Sequence, residues 1–247
     1  MTLRITTLAE RPEFAATLWD MPSSWQEFML NDPIADFFYA VAARTYPEYV
    51  LVADDDGEPG RLVARGCTMP FSHDGGEPPD DGWDGVIRRG WLAGQRGVRP
   101  NRISALEITV RSDLLGSGIS PRMVRAMRDN AARLGFDELL APVRPNQKHL
   151  EPHTPMSEYA FRARADSLPH DAWLRVHVRA GGKIVKVAPR SMVVPGTLAE
   201  WRRWTGLPFD RSGAIEVPGA LNPVHCEVER DYAVYVEPNV WVSHPLS

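Results

Sequence analysis

The sequence predicts a mixed α/β fold organised around a strand–helix–strand crossover. Ile103 to Val110 and Glu138 to Val143 are apolar runs of strand length. Between them, Met123, Val124, Met127, Ala131 and Leu134 recur at helical spacing. The 247 residues are 43% hydrophobic and 24% charged. That is ordinary globular composition, on a chain long enough to bury a large core.

The elements follow in order. Leu3 to Leu8 reads as a first strand and Arg11 to Trp19 as a helix with Pro12 near its start. Trp25 to Leu30 reads as a second short helix. Ile34 to Tyr46 reads as a stronger one, because Ile34, Phe37, Phe38, Val41 and Ala42 share a face. Glu48 to Ala53 and Arg61 to Met69 flank Asp54-Asp55-Asp56-Gly57, which reads as a hairpin with a polar turn. Residues 71–100 are rich in Gly, Asp and Pro around a helical patch at Val86, Ile87, Trp91 and Leu92, as a lid or substrate-side insertion would be.

After the strand at Ile103 to Val110 comes a helix from Ser120 to Leu134. Ser120 suits its cap, Pro121 its first position and Gly135 its end. Residues 144–170 carry four prolines and read as a second excursion, in which Lys148 and His149 are available to an anion. Residues 171–180 fit two readings: alternation of Leu174, Val176, Val178 and Ala180 suits a strand, whereas Asp171 suits a helix cap. Ile184 to Ala188 is a strand, and Thr197 to Thr205 a helix docked by Trp201 and Trp204. Ala214 to Val242 reads as strands broken by Pro218, Pro223 and Pro238.

Charge and hydropathy exclude several roles. The net charge of −4 leaves no chain-wide basic footprint for nucleic acid. No uncharged apolar run approaches the roughly 20 residues of a membrane helix, and residues 1–10 lack a signal-peptide core. The expectation is a cytoplasmic protein without nucleic-acid or membrane partners. Cys67 and Cys226 have no metal-ligand spacing and read as buried reduced thiols, so no metal is expected. Positive charge sits on 25 Arg and only 3 Lys. Arginine presents planar, bidentate donors that suit carboxylate and phosphate.

The most specific stretch is Leu115-Gly116-Ser117-Gly118-Ile119-Ser120, between a strand and a helix. A glycine loop entering a helix offers free backbone N–H groups and a positive dipole end to phosphate. It is neither a Walker A loop nor a dinucleotide fingerprint. These residues resemble the signature of the GNAT acyltransferase superfamily. That signature is a strand ending in Val, then Arg or Gln, two variable residues, Gly, a variable residue, and Gly or Ala. Val110, Gly116, Gly118 and Ile119 fit. Leu115 stands where Arg or Gln is usual, and Ser120 where Gly or Ala is usual. Gly135-Phe136 and the strand at Glu138 to Val143 continue the resemblance. His177-Val178-Arg179-Ala180-Gly181 fits the family's Tyr-x-x-x-Gly register, which favours a helix over 171–180.

The resemblance implies a central mixed, mostly antiparallel sheet flanked by helices. It implies a core at 1–190 with insertions near 71–100 and 144–170, and an added segment at 191–247. It implies acyl transfer from acetyl-CoA or another acyl-CoA to an amine. The phosphates would lie on Leu115, Gly116, Ser117, Gly118, Ile119 and Ser120, and the pantetheine arm along Ile108 to Val110. Glu107 is the candidate base, directly or through water, and His177 the candidate acid toward the thiolate. Two long excursions suit a closed pocket, hence a small-molecule acceptor. A carrier-protein thioester donor, with acyl carrier protein as partner, remains open. So do decarboxylation or transfer to sulfur, a non-catalytic binding module, and a homodimer contact through the added segment.

Overall fold

The computed structural model describes residues 3–22 and 24–246. In chain order the elements are Leu3–Thr7 (β1), Asp36–Tyr39 (α1), Ala42–Thr45 (α2), Val50–Asp55 (β2), Glu58–Phe71 (β3), Gly82–Arg96 (α3), Arg102–Val110 (β4) and Ile119–Arg133 (α4). Then come Glu138–Val143 (β5), Met156–Tyr159 (α5), Ala172–Arg179 (α6), Lys183–Gly196 (β6), Leu198–Thr205 (α7), Gly213–Ile215 (β7), Val224–Glu227 (β8) and Tyr232–Pro245 (β9). Short 3-10 turns occupy Pro12–Ala16, Glu27–Asn31 and Ser112–Leu114.

The strands form one sheet in the order β1-β2-β3-β4-β5-β9-β8-β7, with β6 on the other edge of β9. Pairing is antiparallel except between β4 and β5. The parallel step is bridged by α4, as a parallel neighbour requires a crossover. Residues Ile119, Met123, Val124, Met127 and Ala131 bury one face of α4. Asp171 caps α6 by accepting from the N–H groups of Trp173 and Leu174, which resolves 171–180 as helix. Thr197 and Glu200 form a capping box on α7.

Helices cover both faces. On one, α4 packs on Val63, Ala64, Ile103 and Val110, and α5 and α6 on Ala141, Val143 and Val242. On the other, the N-terminal turns, α1, α3 and α7 bury Phe28, Phe38, Val86, Ile87 and Trp201 against β3, β6 and β9. The region 71–100 thus folds as a loop and the helix α3, laid on β3 and β6.

Some expectations differ from what is seen. The helix expected over 34–46 is two single turns, because Val41 has φ −122° and ψ −8° and interrupts it. Pro238 lies inside β9 rather than breaking it. Its missing N–H faces a bulge, where β6 pairing jumps from Ala188 to Met192. The boundary expected at residue 190 falls within β6, and β9, from the segment expected as an addition, pairs with β5 in mid-sheet. An antiparallel β9 gives β5 a second ladder, so 191–247 is built into the sheet rather than laid upon it.

Candidate active site

At the C-terminal end of β4 the chain makes one 3-10 turn and enters α4. Gly116 and Gly118 have φ of +79° and +81°, where any Cβ is strained. Gly118 is the N-cap of α4, Ile119 its first residue and Ser120 its second. This corrects the expectation that Ser120 caps the helix and Pro121 begins it. The left-handed turn at Gly118 starts the helix earlier, and Pro121 still falls in the first turn, where a missing N–H costs nothing. Residues 115–118 are exposed, and Leu115 is 60% exposed. The Ser117 hydroxyl donates back to the Leu114 carbonyl at 2.6 Å. Main-chain N–H groups, not that hydroxyl, are therefore what the loop offers an anion.

β4 and β5 pair at only two positions, Ile103 with Leu139 and Ser104 with Leu140. Beyond them β4 runs on to Val110 and β5 to Val143 with no ladder between. The gap opens toward the glycine loop. Ile108 and Val110, paired with Gly66 and Ala64 in β3, have no ladder partner in β5.

Opposite this gap, β3 and β4 slip register between Cys67–Glu107 and Thr68–Ala105, leaving Leu106 as a bulge. Glu107 follows it, 8% exposed, on the sheet face away from α4. Arg65 approaches its Oε1 through Nε at 3.0 Å and through a terminal nitrogen at 2.8 Å. Arg65 also donates to the Leu18 carbonyl at 3.0 Å and lies 4.9 Å from the Trp19 ring. Thr109 donates to the same Oε1 in a very short contact. The Tyr39 phenol faces the same carboxylate, and burial, then the charge of Glu107, holds it well above its usual range. Tyr39 packs edge-on to Trp19 and stacks on Trp83. Cys67, opposite Glu107, stays a thiol because burial and Glu107 push its pKa up.

His177 does not join Glu107. It lies on α6, against the face that carries α4, and is 4% exposed. Its Nδ1 is 2.9 Å from His244 Nε2. Burial, then the neighbouring His244, pushes its pKa down to about 3. A neutral, sealed imidazole is poorly placed to protonate a thiolate in the β4–β5 gap. Lys148 is also enclosed: its ammonium donates to the carbonyls of Glu151, Leu221 and Pro152 at 2.8, 2.7 and 3.4 Å. It fastens the 144–170 excursion instead of meeting an anion. No cluster of three His, Cys, Asp or Glu suited to a metal occurs among the described residues. No helix among them is long and apolar enough to cross a membrane.

Sequence reasoning did not find Arg65, Tyr39, Thr109 or Trp83. Thr109 carried a signal, since residues two apart on a strand share a face with Glu107. Arg65 and Tyr39 depend on strand register and on the packing of α1, which local pattern does not encode.

No family model matches the chain. The arginine N-acetyltransferase avaD of Aspergillus versicolor is 31% identical over 272 residues, covering 98% of this chain and 93% of that protein. Among solved structures, the loading GNAT-like domain of CurA from Lyngbya majuscula superposes with a TM-score of 0.54 at 13% identity, covering 99% of this chain and 97% of that one. The GphF GNAT-like decarboxylase, in complex with isobutyryl-CoA, gives 0.53 at 12% identity with both chains fully covered. The two structures share the fold, and the Aspergillus relative fixes the lineage. With the glycine loop, the splayed strands and this likeness along nearly its whole length, the chain belongs to the GNAT superfamily of N-acyltransferases.

Proposed function

We propose that the protein moves an acetyl group from acetyl-CoA to an amine nitrogen of a small, cationic acceptor, with arginine the first to test. The unladdered gap between β4 and β5 carries this reading, because it leads from the Gly116–Ser120 loop to the level of Glu107. The Aspergillus relative's name supports arginine as acceptor.

In this reading the N–H groups of residues 116, 118, 119 and 120 bind the pyrophosphate, aided by the α4 dipole. Main-chain groups from Ile108 to Val110 align the pantetheine arm. The acceptor enters from the face bearing Trp19, Tyr39 and Trp83. Glu107 takes the proton that an ammonium must lose, through a water. The free amine then attacks the thioester carbon, a C–N bond forms, and the C–S bond breaks with its electron pair on sulfur. The thiolate recovers a proton from solvent or from the amide-forming nitrogen. Arg65 and Thr109 hold one carboxylate oxygen and so fix the direction of the other.

Acetyl transfer from acetyl-CoA to arginine, followed by release of CoA thiol, tests this in the wild type and in Glu107→Gln. Turnover lost in the variant with CoA affinity retained supports it. Full turnover in the variant removes Glu107 from the role.

A carrier-bound donor is a second reading. It is favoured by Leu115, an exposed apolar side chain where a phosphate-side arginine is usual. The ratio of transfer rates from acetyl-CoA and from acetylated carrier protein decides between the donors.

A further inference from the structure

Trp83 connects the 71–100 insertion to the strand that bears Glu107. It is the second residue of α3 and 7% exposed. Its indole N–H donates to the Leu106 carbonyl at 3.0 Å. Leu106 is the bulge residue, which has no opposite number in β3. The ladder reaches the peptide unit between Leu106 and Glu107 only from the Glu107 side, where Glu107 pairs with Cys67, and the Leu106 carbonyl is held by the indole instead. That unit is planar and rigid, so the carbonyl of one residue and the N–H of the next turn together. Holding the Leu106 oxygen sets the plane from which Glu107 departs.

The donor is itself held. The Trp83 backbone N–H donates to Ser191 Oγ at 2.9 Å, and that hydroxyl donates to Asn239 Oδ1 at 2.5 Å. The Asn239 amide donates to Glu237 at 3.0 Å. Glu237 is fully buried and also accepts from Tyr235 and Arg144, at 2.8 and 2.9 Å. Gly82 permits the approach: a Cβ there would lie 2.2 Å from Ser191 Oγ and 2.8 Å from its Cα. On its other side the Trp83 ring stacks on Tyr39 with centroids 6.1 Å apart. Ser191 on β6, Asn239 and Glu237 on β9, and the Tyr39 ring thus define where the indole N–H points.

We propose that Trp83 is a positioning residue for acyl transfer, its indole N–H orienting the Leu106–Glu107 peptide and with it the Glu107 carboxylate. This rests on the reading of Glu107 as the proton acceptor. It gives the inserted helix a part in the chemistry: α3 closes one side of the site and also fixes the direction of the base.

Two replacements separate the N–H from the ring. Trp83→Phe keeps an aromatic ring beside Tyr39, and 3-benzothienylalanine at position 83 keeps the bicyclic shape, each without an N–H. With acetyl-CoA and arginine, both are expected to lose kcat by about 10- to 100-fold, the scale of a misplaced reacting group. KM for acetyl-CoA and the calorimetric Kd for CoA are expected to stay within about twofold. A fully active benzothienyl variant overturns the proposal. So does a kcat loss matched by an equal loss of CoA-binding sites, which would mean unfolding alone. Glu107→Gln runs beside them. If it is inactive while both Trp83 variants are fully active, the positioning role fails and the base stands. If it is fully active, the base reading fails first. Free of any acceptor, the indole N–H resonance that disappears in Trp83→Phe is expected to exchange with deuterium about 100-fold slower than free indole; exchange at the free rate overturns the hydrogen bond.

Discussion

Asp32, which precedes α1, and Asp84, in the first turn of α3, are buried carboxyl groups that face one another closely enough to oppose each other's ionisation. Each is 3% exposed. One oxygen of each is engaged: Asp32 Oδ1 accepts from the Ile34 N–H at 2.8 Å, and Asp84 Oδ2 from the Val193 N–H at 3.1 Å. Asp32 Oδ2 and Asp84 Oδ1 accept from no donor among the described residues. Two carboxylates so close cannot both ionise cheaply, so the pair retains a proton. Burial first, and then Asp32, pushes Asp84 up to about 9; burial likewise pushes Asp32 up to about 6.

The sign of the pH dependence follows. Both acids have folded-state pKa values above those of the unfolded chain. Their contribution is intact below about pH 4 and is lost as pH rises toward 9. Asp84→Asn supplies a permanent N–H donor to Asp32 and keeps an acceptor for Val193. The variant is expected to melt higher than wild type at pH 8–9, by about 2–4 °C for each kcal/mol recovered, with the gap closing toward pH 5. Thermal unfolding across that range checks it, and a gap that widens at low pH contradicts the retained proton.

His177 and His244 carry the opposite sign. Burial lowers them to about 3 and about 4, below the unfolded imidazole. Stability is therefore expected to fall as pH drops from 6.5 toward 3. His177→Phe should flatten that acid slope while leaving kcat unchanged. It also strands the His244 ring nitrogen, at a cost of about 1–3 kcal/mol near neutral pH. A kcat loss beyond the loss of folded protein would restore His177 to the chemistry.

Gly118→Ala places a Cβ on a left-handed N-cap, with a strain of about 1–2 kcal/mol. The loop relieves it by turning its N–H groups. CoA affinity is expected to weaken by about tenfold or more, with the apparent affinity for arginine unchanged. Calorimetry with CoA reads this directly, and an unchanged Kd would argue against the loop as the phosphate seat.

Lys148→Met keeps the length of the side chain and abandons three carbonyls. A loss of about 3 kcal/mol in unfolding free energy is expected, from the charged hydrogen bonds forfeited. CoA affinity is expected to hold, since no phosphate reaches this ammonium. A weakened CoA Kd with unchanged stability would reverse that assignment.

Much of this was readable where signals are local. The Asp-Gly turn gave the β2–β3 hairpin, the methionine stripe gave α4, and Gly116-Ser117-Gly118 marked the loop, where two positive φ angles explain the residue type. Asp171 decided a helix that alternation alone left ambiguous. What escaped was set by distant pairing. The bulge at Leu106 depends on register between β3 and β4, and Arg65 reaches Glu107 only through that register. Trp83 lies outside the helical patch read from Val86, Ile87, Trp91 and Leu92, and nothing nearby in sequence foretells an indole hydrogen bond across to Leu106. His177 was placed on the right element, but its burial depends on His244, in a strand far along the chain.

The position of β9 also bears on how this chain reaches its structure. Val143 pairs with Val240 and Glu138 with Pro245, so every other strand precedes the one that completes the middle of the sheet. During synthesis β5 and β6 must wait with open edges until β9 emerges. Such long-range closure is slow, and exposed edges in the interval invite pairing with other chains. Expression yield should therefore be sensitive to chaperone supply and to anything that delays or removes the last strand, even though none of its residues is assigned to the chemistry.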